Sequence, residues 1–307
     1  MSTAVLTAET AMAAAARLVP GFRPAEATPG PRPSVWFVTD GSGESAVVKF
    51  HAGDPRRQLG KERFVYELAA PLDGLPTPRV LGFDEEAMAL SVVPGVGLDT
   101  VIDKLSSAEI DSLSEQLGAA IATLHTLAQP AFGYLLTWVH EPADRNRDYL
   151  ESTLESFFAD WSRYGGDAAL AGRLKGFIAE RADLFDRCSQ PVVCHDDIHP
   201  ANLLVTPAEE DWVLSGLVDF ENARAADPLM DVAKAGYYLF SSLSNRLSRA
   251  AFVRGYGGLP DHAETLIPVY RVWSDLEMWV SLAKANTIGW RTALESDLAE
   301  LVAGTGW

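Results

Sequence analysis

Apolar and polar positions change rhythm near Val93. Before it, Val35–Thr39 and Ala46–Phe50 are short β-rich runs joined by Asp40-Gly41-Ser42-Gly43-Glu44-Ser45, which predicts a hairpin with a small polar tip. Thr77–Phe83 and Met88–Val93 predict a second pair of strands, turning through Asp84-Glu85-Glu86. Helices are expected at Ala8–Leu18 and from about Pro55 to Ala70, while Pro20–Pro33, with five prolines and two glycines, reads as an irregular connection. Pro94-Gly95-Val96-Gly97 then breaks pattern and composition together, and beyond it the period is helical. Ser106-Ser107-Ala108-Glu109 is a capping box, in which hydroxyl and carboxylate each satisfy an N–H of the first turn. Ile110, Leu113, Leu117, Ile121 and Leu124 recur at three and four along the helix it opens, which runs to about Ala128 and carries a structural His125. Further helices fit Ala143–Tyr164, Ala168–Arg187, Met230–Leu243, Asn245–Gly255, Ala263–Ala285 and Asn286–Ala303. The pattern predicts an α+β chain of two lobes. Residues 1–93 form a small lobe with an antiparallel sheet, residues 94–307 a larger, mainly helical lobe, and a ligand cleft is expected where they meet.

One stretch stands apart. Between Val192 and Asp219, two apolar runs that read as short strands flank the polar loop His195-Asp196-Asp197-Ile198-His199-Pro200-Ala201-Asn202, and the second run, Val213–Val218, delivers Asp219 as the hydrophobic pattern ends. A structural zinc site would need four regularly spaced ligands, and Pro200 argues against one helix presenting both His195 and His199. A phosphohydrolase built on a His195-Asp196 dyad would need further histidines on flanking helices, and a plain capped turn is the remaining bland reading. Asp197 and Asn202, five apart, match the spacing of base and metal-binding Asn in a kinase loop. Phosphoryl transfer passes through a loose transition state, so a carboxylate near the acceptor, an amide on a metal and a second carboxylate on the metal suffice. Upstream, Lys49 sits between Val48 and Phe50, one strand after the glycine turn, where a phosphate-binding lysine would lie, although a strand lysine is ordinarily solvated. Glu62 and Glu67 are its candidate partners, Glu62 the better placed.

Charge narrows the partners. With 42 acidic and 25 basic residues the net charge is −17, which repels nucleic acid and anionic membrane, keeps the chain soluble and attracts cations. Two cysteines, Cys188 and Cys194, make no disulfide framework, and the Ala-rich N-terminal stretch lacks the basic region of a signal peptide, so a cytoplasmic location is expected.

HDDIHPANLLV followed by GLVDFENARAADPLMDVA resembles the aminoglycoside phosphotransferase and choline-kinase-like family, whose loop reads approximately H-G-D-x-H-P-x-N. The resemblance extends through AVVKF, LPTPRVLG, PGVGL and ATLHTL to nearly the whole chain. It implies a bilobal protein-kinase-like fold, ATP (with GTP as the alternative) and Mg²⁺. Lys49 would hold the α- and β-phosphates with Glu62 orienting it, Ser42 would sit on a tip closing over phosphates, and backbone groups from Ser91 to Val93 would meet the adenine. Asp197 would accept or orient the substrate hydroxyl, Asn202 and Asp219 would bind Mg²⁺, His195 would brace the loop, and Asp227 and Asp231 would support it. Two departures stand out: Asp196 replaces the usual Gly, and Phe220-Glu221 follows the metal acid. Only seven residues separate Asp219 from Asp227, too few for a protein-kinase activation loop, which points to a small-molecule acceptor.

For that acceptor, Asp196, Asp148, Trp273, Asp275 and Glu277 are the substrate-side candidates, with Tyr270, Trp279, Asp144 and Glu151 nearby in sequence. Acidic and aromatic groups suit a cationic, hydroxylated antibiotic such as an aminoglycoside or a basic peptide, and hence a resistance role. Tryptophans at this spacing are otherwise core, and acidic helix faces otherwise solvated. The alternatives are a metabolic or biosynthetic kinase of a sugar, amino alcohol or nucleoside, and a catalytically silent kinase-like binding protein. The complete set Lys49, Asp197, Asn202 and Asp219 favours an active enzyme.

Overall fold

The structure, a computed structural model, describes residues 6–50, 55–209, 211–240 and 247–304. Two compact units emerge. The first comprises Met1–Glu109, Leu135–Trp138 and Pro200–Ala223, and the second Ile110–Tyr134, Val139–His199 and Arg224–Trp307.

In the first unit α1 (Ala8–Leu18), β1 (Pro24–Pro29), β2 (Val35–Asp40), β3 (Ser45–Phe50), α2 (Pro55–Ala69), β4 (Val80–Phe83) and β5 (Ala87–Ser91) build a five-stranded antiparallel sheet of order β1-β2-β3-β5-β4 with its helices. Side chains alternate across it, as the pleat demands. Val38, Val48, Phe50, Ala87 and Ala89 pack against Ala11, Ala14, Ala15 and Leu18 of α1. The small alanines let that helix lie close: a Cβ on Gly82 would come 1.9 Å from the Leu18 carbonyl oxygen, so glycine is required there. The intervening positions, Val35, Phe37, Val47, Lys49 and Leu90, share the other face, because Val35 pairs with Lys49, Phe37 with Val47, and Val47 with Leu90.

The segment 20–33 corrects the sequence reading: it contains β1, not an irregular connection. Among the described residues the strand lies at the sheet edge, paired with β2 and ending on Pro24 and Pro29, positions where a missing N–H is tolerated. A second correction concerns the division at residue 93. After it, β6 (Val96–Gly97) pairs with Leu204 and Val205, which belong to the hairpin Leu203–Pro207/Trp212–Leu217. Backbone pairing thus holds 200–223 in the first unit, and the two units are not the consecutive segments 1–93 and 94–307.

The second unit is mainly helical: α3 (Ser107–Leu124), α4 (Asn146–Arg163), α5 (Ala168–Ala179), α6 (Leu229–Ala235), α7 (Arg249–Tyr256), α8 (Ala263–Lys284) and α9 (Ile288–Val302). The predicted capping box is present at the start of α3, with the Ser106 N–H and hydroxyl donating to Glu109 Oε2 at 2.7 and 2.6 Å. The buried α8 packs on α4, where the Trp161 and Trp279 rings lie 4.2 Å apart. A four-stranded sheet runs in the order Val139–Ala143, Phe132–Leu135, Arg224–Ala226, Val192–Cys194. Strands this short carry too few residues to show a period, and three predicted helices are shorter than expected. The helix expected from Ala143 starts at Asn146, the one expected to reach Arg187 ends at Ala179 before a 3₁₀ turn at Ala182–Arg187, and the one expected to reach Leu243 ends at Ala235 in a π turn, Gly236–Phe240. The remaining predicted positions 241–246 lie outside the described residues.

Candidate active site

A cavity of about 300 Å³ opens on the face of the first unit's sheet opposite α1. Its walls are apolar at one end, where Val35, Val47, Leu90, Leu204 and Val218 form a slot, and charged at the other, where Lys49, Arg32, Asn202 and Asp219 converge. Ser91, Val92 and Val93 line it too. The Ser91 N–H already donates to the Arg79 carbonyl at 2.8 Å, and its hydroxyl accepts from the Arg79 N–H, so Ser91 is engaged in the sheet. Ser42 is elsewhere. It caps the exposed β2–β3 turn by donating to Asp40 Oδ1, outside the cavity, whereas the loop that lines the cavity is 30–34, between β1 and β2.

Lys49 organises the charged end. Strand alternation turns it away from α1 into the protein, 7% exposed, where Nζ donates to Glu62 Oε2 and to Asp219 Oδ1, both at 2.7 Å. Burial alone would lower its pKa, but the two carboxylates overcome that and raise it, so the lysine is held charged. Glu62, on the inner face of α2, accepts from the Tyr66 hydroxyl at 2.9 Å, and that hydroxyl accepts from the Asp219 N–H at 3.1 Å. Tyr66 therefore ties α2 to the strand end that carries Asp219. Asp219 itself stands in the left-handed region, φ +72°, which turns its carboxylate back into the cavity. Glu67 does not compete for Lys49; it pairs with Arg63. The sequence reading missed Arg32, which bonds to Asp219 Oδ2 and reaches Asn202 Oδ1 at 3.4 Å. The flanking prolines of Pro31-Arg32-Pro33 were its only signal, a stiff loop presenting one charge. It also missed Lys61, fully buried, whose Nζ donates to the Glu221 carbonyl at 2.8 Å. Glu221, the second departure, lies within 4.0 Å of both Lys49 and Arg32.

In the second unit the loop after Val192–Cys194 is fixed from below by Asp231, whose two carboxylate oxygens accept the His195 and Asp196 N–H groups at 2.8 Å each. His125 adds a third contact to Asp231 at 3.0 Å. Burial would raise the Asp231 pKa, yet the His125 bond and the other donors hold it low and charged. Asp227 accepts from the Leu229 N–H and the Tyr270 hydroxyl, and burial pushes its pKa up. His195 Nδ1 accepts from the Asp197 N–H at 3.2 Å, and His199 Nε2 lies 3.7 Å from Asp197 Oδ2. Asp197 is half-buried, unlike the three fully enclosed residues before it.

Asp196 has a definite role in this unit. Its backbone is left-handed, φ +60°, which is the conformation that a glycine would adopt there without strain. Its side chain turns inward, 3% exposed, and accepts from Arg224 Nε at 2.7 Å, with Lys234 Nζ 3.8 Å away. Strand pairing of Arg224 with Cys194 places the two side by side. The guanidinium also bonds to the Tyr149 hydroxyl and to both oxygens of Glu277, and lies 4.4 Å from the Trp273 ring centre.

Three of the substrate-side candidates belong to this network. Asp196, Glu277 and Trp273 hold Arg224, Asp275 is buried, and Asp148 lies 3.9 Å from Arg145.

Asn202 and Asp219 offer an amide and a carboxylate oxygen, the hard donors that Mg²⁺ takes. Both accept the same guanidinium, so a positive charge already bridges them, and the donor set fits a divalent cation.

Solved structures show the same fold at low identity. A Thermobifida fusca YX-ER1 protein provisionally assigned as a fructosamine-3-kinase matches with TM-score 0.71 at 16% identity, covering 97% of this chain and 100% of its own. The aminoglycoside phosphotransferase APH(2")-IIia, in complex with GDP and kanamycin, matches with TM-score 0.71 at 15% identity over 96% and 98%. The macrolide 2'-phosphotransferase MphH from Brachybacterium faecium matches with TM-score 0.61 at 18% identity over 96% and 97%. No curated protein matches by sequence. The fold is therefore the α+β, protein-kinase-like class that the sequence predicts. A sequence profile named Phosphotransferase enzyme family matches residues 27–267, from β1 into α8 and through both Lys49 and the Asp197–Asp219 segment. The coverage exceeds half the chain, and the chain belongs to that phosphotransferase family.

Proposed function

We propose that the protein is a Mg²⁺- and ATP-dependent kinase that moves the γ-phosphoryl group to a hydroxyl of a small molecule. The observation that carries this reading is Lys49, buried at the charged end of an apolar slot and bonded at 2.7 Å to both Glu62 and Asp219. An apolar slot suits a purine, and a lysine fixed by two carboxylates suits the phosphates that follow it. The solved aminoglycoside phosphotransferases with GDP, AMP-PNP or ADP are consistent with nucleotide use, with GTP as the alternative donor.

In this reading Asp197 orients the acceptor hydroxyl and takes its proton as the acceptor oxygen bonds to the γ-phosphorus and the β–γ bridging bond breaks, releasing ADP. His195 and Asp231 hold the Asp197 backbone for that task. Lys49 steadies the α- and β-phosphates, and Glu62 with Tyr66 keeps Lys49 from swinging. Asn202 and Asp219 would hold Mg²⁺, which supplies neutralising charge to the phosphates when bound.

The acceptor follows less directly. Asp196 and Glu277 are engaged with Arg224, so a cationic antibiotic such as an aminoglycoside is supported by the net charge of −17 and by the neighbours that bind kanamycin or hygromycin B. A sugar, amino alcohol or nucleoside is the second acceptor class, supported by the fructosamine-3-kinase-like neighbour. Incubating the protein with ATP-Mg²⁺ and a panel of aminoglycosides, basic peptides, macrolides, sugars and nucleosides, and reading a phosphate mass increment, separates them. Product with neutral acceptors alone ends the cationic reading. No product from any member, with nucleotide bound, favours a silent binding protein.

A further inference from the structure

We propose that Arg32 is a positioning residue that shares the cation site: its guanidinium bridges Asp219 and Asn202 until a divalent cation takes their oxygens, and then serves the nucleotide phosphates. This rests on the kinase reading of the same pocket.

Three observations converge. First, the guanidinium bonds to Asp219 Oδ2 and reaches Asn202 Oδ1 at 3.4 Å, the two oxygens assigned to the metal. One acid oxygen cannot serve both cations fully, so guanidinium and divalent ion compete. Second, the contact is built rather than incidental. Pro31 and Pro33 fix the backbone on either side of Arg32, and the loop is pinned by Gly30 N–H to the Val35 carbonyl at 2.8 Å, Val35 N–H to the Arg32 carbonyl at 3.0 Å and Phe50 N–H to the Ser34 carbonyl at 2.7 Å. A Cβ at Gly30 would fall 2.9 Å from Val35 Cγ1, so the turn tolerates no larger residue without a shift. Third, the side chain is 42% exposed and lines the cavity, which leaves it room to move from one partner to another while the loop stays still.

The charge balance explains why such a residue is needed here. Glu221 brings a carboxylate within 4.0 Å of Arg32 and 3.9 Å of Lys49, beside Asp219 and Glu62. Three carboxylates facing one lysine would repel a nucleotide's phosphates. Arg32 offsets the extra acid and, once displaced by the cation, remains at the cavity wall as a bidentate donor matched to phosphate.

The prediction is a pair of shifts with opposite sign. In Arg32→Gln, Mn²⁺ without nucleotide, read by loss of the free-ion EPR signal, should bind about two- to fivefold more tightly, the range for a partly exposed ion pair. ADP without metal, read by calorimetry, should bind the variant more weakly by a similar factor. Arg32→Lys, which keeps the charge but not the fork, should fall between the two. A residue that merely supports the fold would move both affinities the same way, and thermal unfolding of each variant reports any such loss. Mn²⁺ affinity unchanged or weakened in Arg32→Gln, while the wild-type chain binds ADP, overturns the role of Arg32 and leaves the kinase reading standing. Failure of the wild-type chain to bind ADP with or without metal overturns both.

Discussion

Replacing Asp196 by glycine tests whether its buried pair with Arg224 outweighs its strained backbone. The Arg224 guanidinium is 5% exposed, and the substitution removes the acceptor of Nε while Glu277 and Tyr149 keep the outer nitrogens. Breaking a buried pair from one side costs about 3–5 kcal/mol, and the surviving Glu277 contact should reduce this to about 2–3 kcal/mol. Against it, glycine relieves the left-handed backbone at φ +60°, a gain of about 1 kcal/mol. The net expectation is a loss of about 1–2 kcal/mol for Asp196→Gly, and about 1 kcal/mol more for Asp196→Ala, which loses the pair and keeps the strain. Urea unfolding followed by tryptophan fluorescence suits the test, because Trp273 lies against Arg224 and reports on its surroundings. Adding Arg224→Met to Asp196→Gly removes the orphaned charge, and the double variant should recover part of the loss, a coupling that a double-mutant cycle reads directly. A glycine variant as stable as the wild type would refute the ion-pair account. Equal stabilities for glycine and alanine would refute the strain account.

Two further outcomes follow from buried titratable groups. Burial lifts the Asp275 carboxyl to about 7, against the opposing charges of Arg271 and Lys234. An acid whose folded pKa exceeds its unfolded value stabilises the fold below the unfolded pKa and loses that contribution as pH rises to the folded one. Stability should therefore fall between about pH 4 and 7 with a slope contribution of up to about 1.4 kcal/mol per unit, and Asp275→Asn should flatten that part of a denaturation-midpoint profile. Burial likewise raises the Cys188 thiol to about 12 and Cys194 well above its usual value. Both should react with a thiol reagent at pH 8 at least about a hundredfold more slowly than in urea, since the thiolate is the nucleophile. A fast native phase would show that one of them is poised for chemistry.

The fold was legible where periodicity had length to express itself. The α1 bounds, the β2–β3 hairpin and the capped start of α3 stand where the pattern placed them. An element of a few residues such as Arg224–Ala226 could not be read because its existence depends on partners remote in sequence, whereas the apolar run at Val192 showed its strand. Strand β1 was hidden by prolines that an interior strand could not hold and an edge strand can. In the site, Lys49 and Glu62 were legible because strand alternation and helix entry fix their directions. Arg32 was not, since nothing local shows that a proline-bounded arginine reaches an acid 187 positions later. Glu277 and Trp273 of α8 show the same limit: composition reveals a charge or a ring but not its partner, here Arg224.

The most direct measurement of the central claim is calorimetric titration of AMP-PNP into the wild-type chain and into Asp219→Ala, each with and without Mg²⁺. Asp219 carries the carboxylate that faces Lys49 and the cation site, so its loss should act through the metal. The account predicts wild-type affinity that strengthens with Mg²⁺ and an Asp219→Ala affinity that does not respond to it. Equal Mg²⁺ dependence in the two proteins, or no nucleotide binding by the wild type, would contradict it.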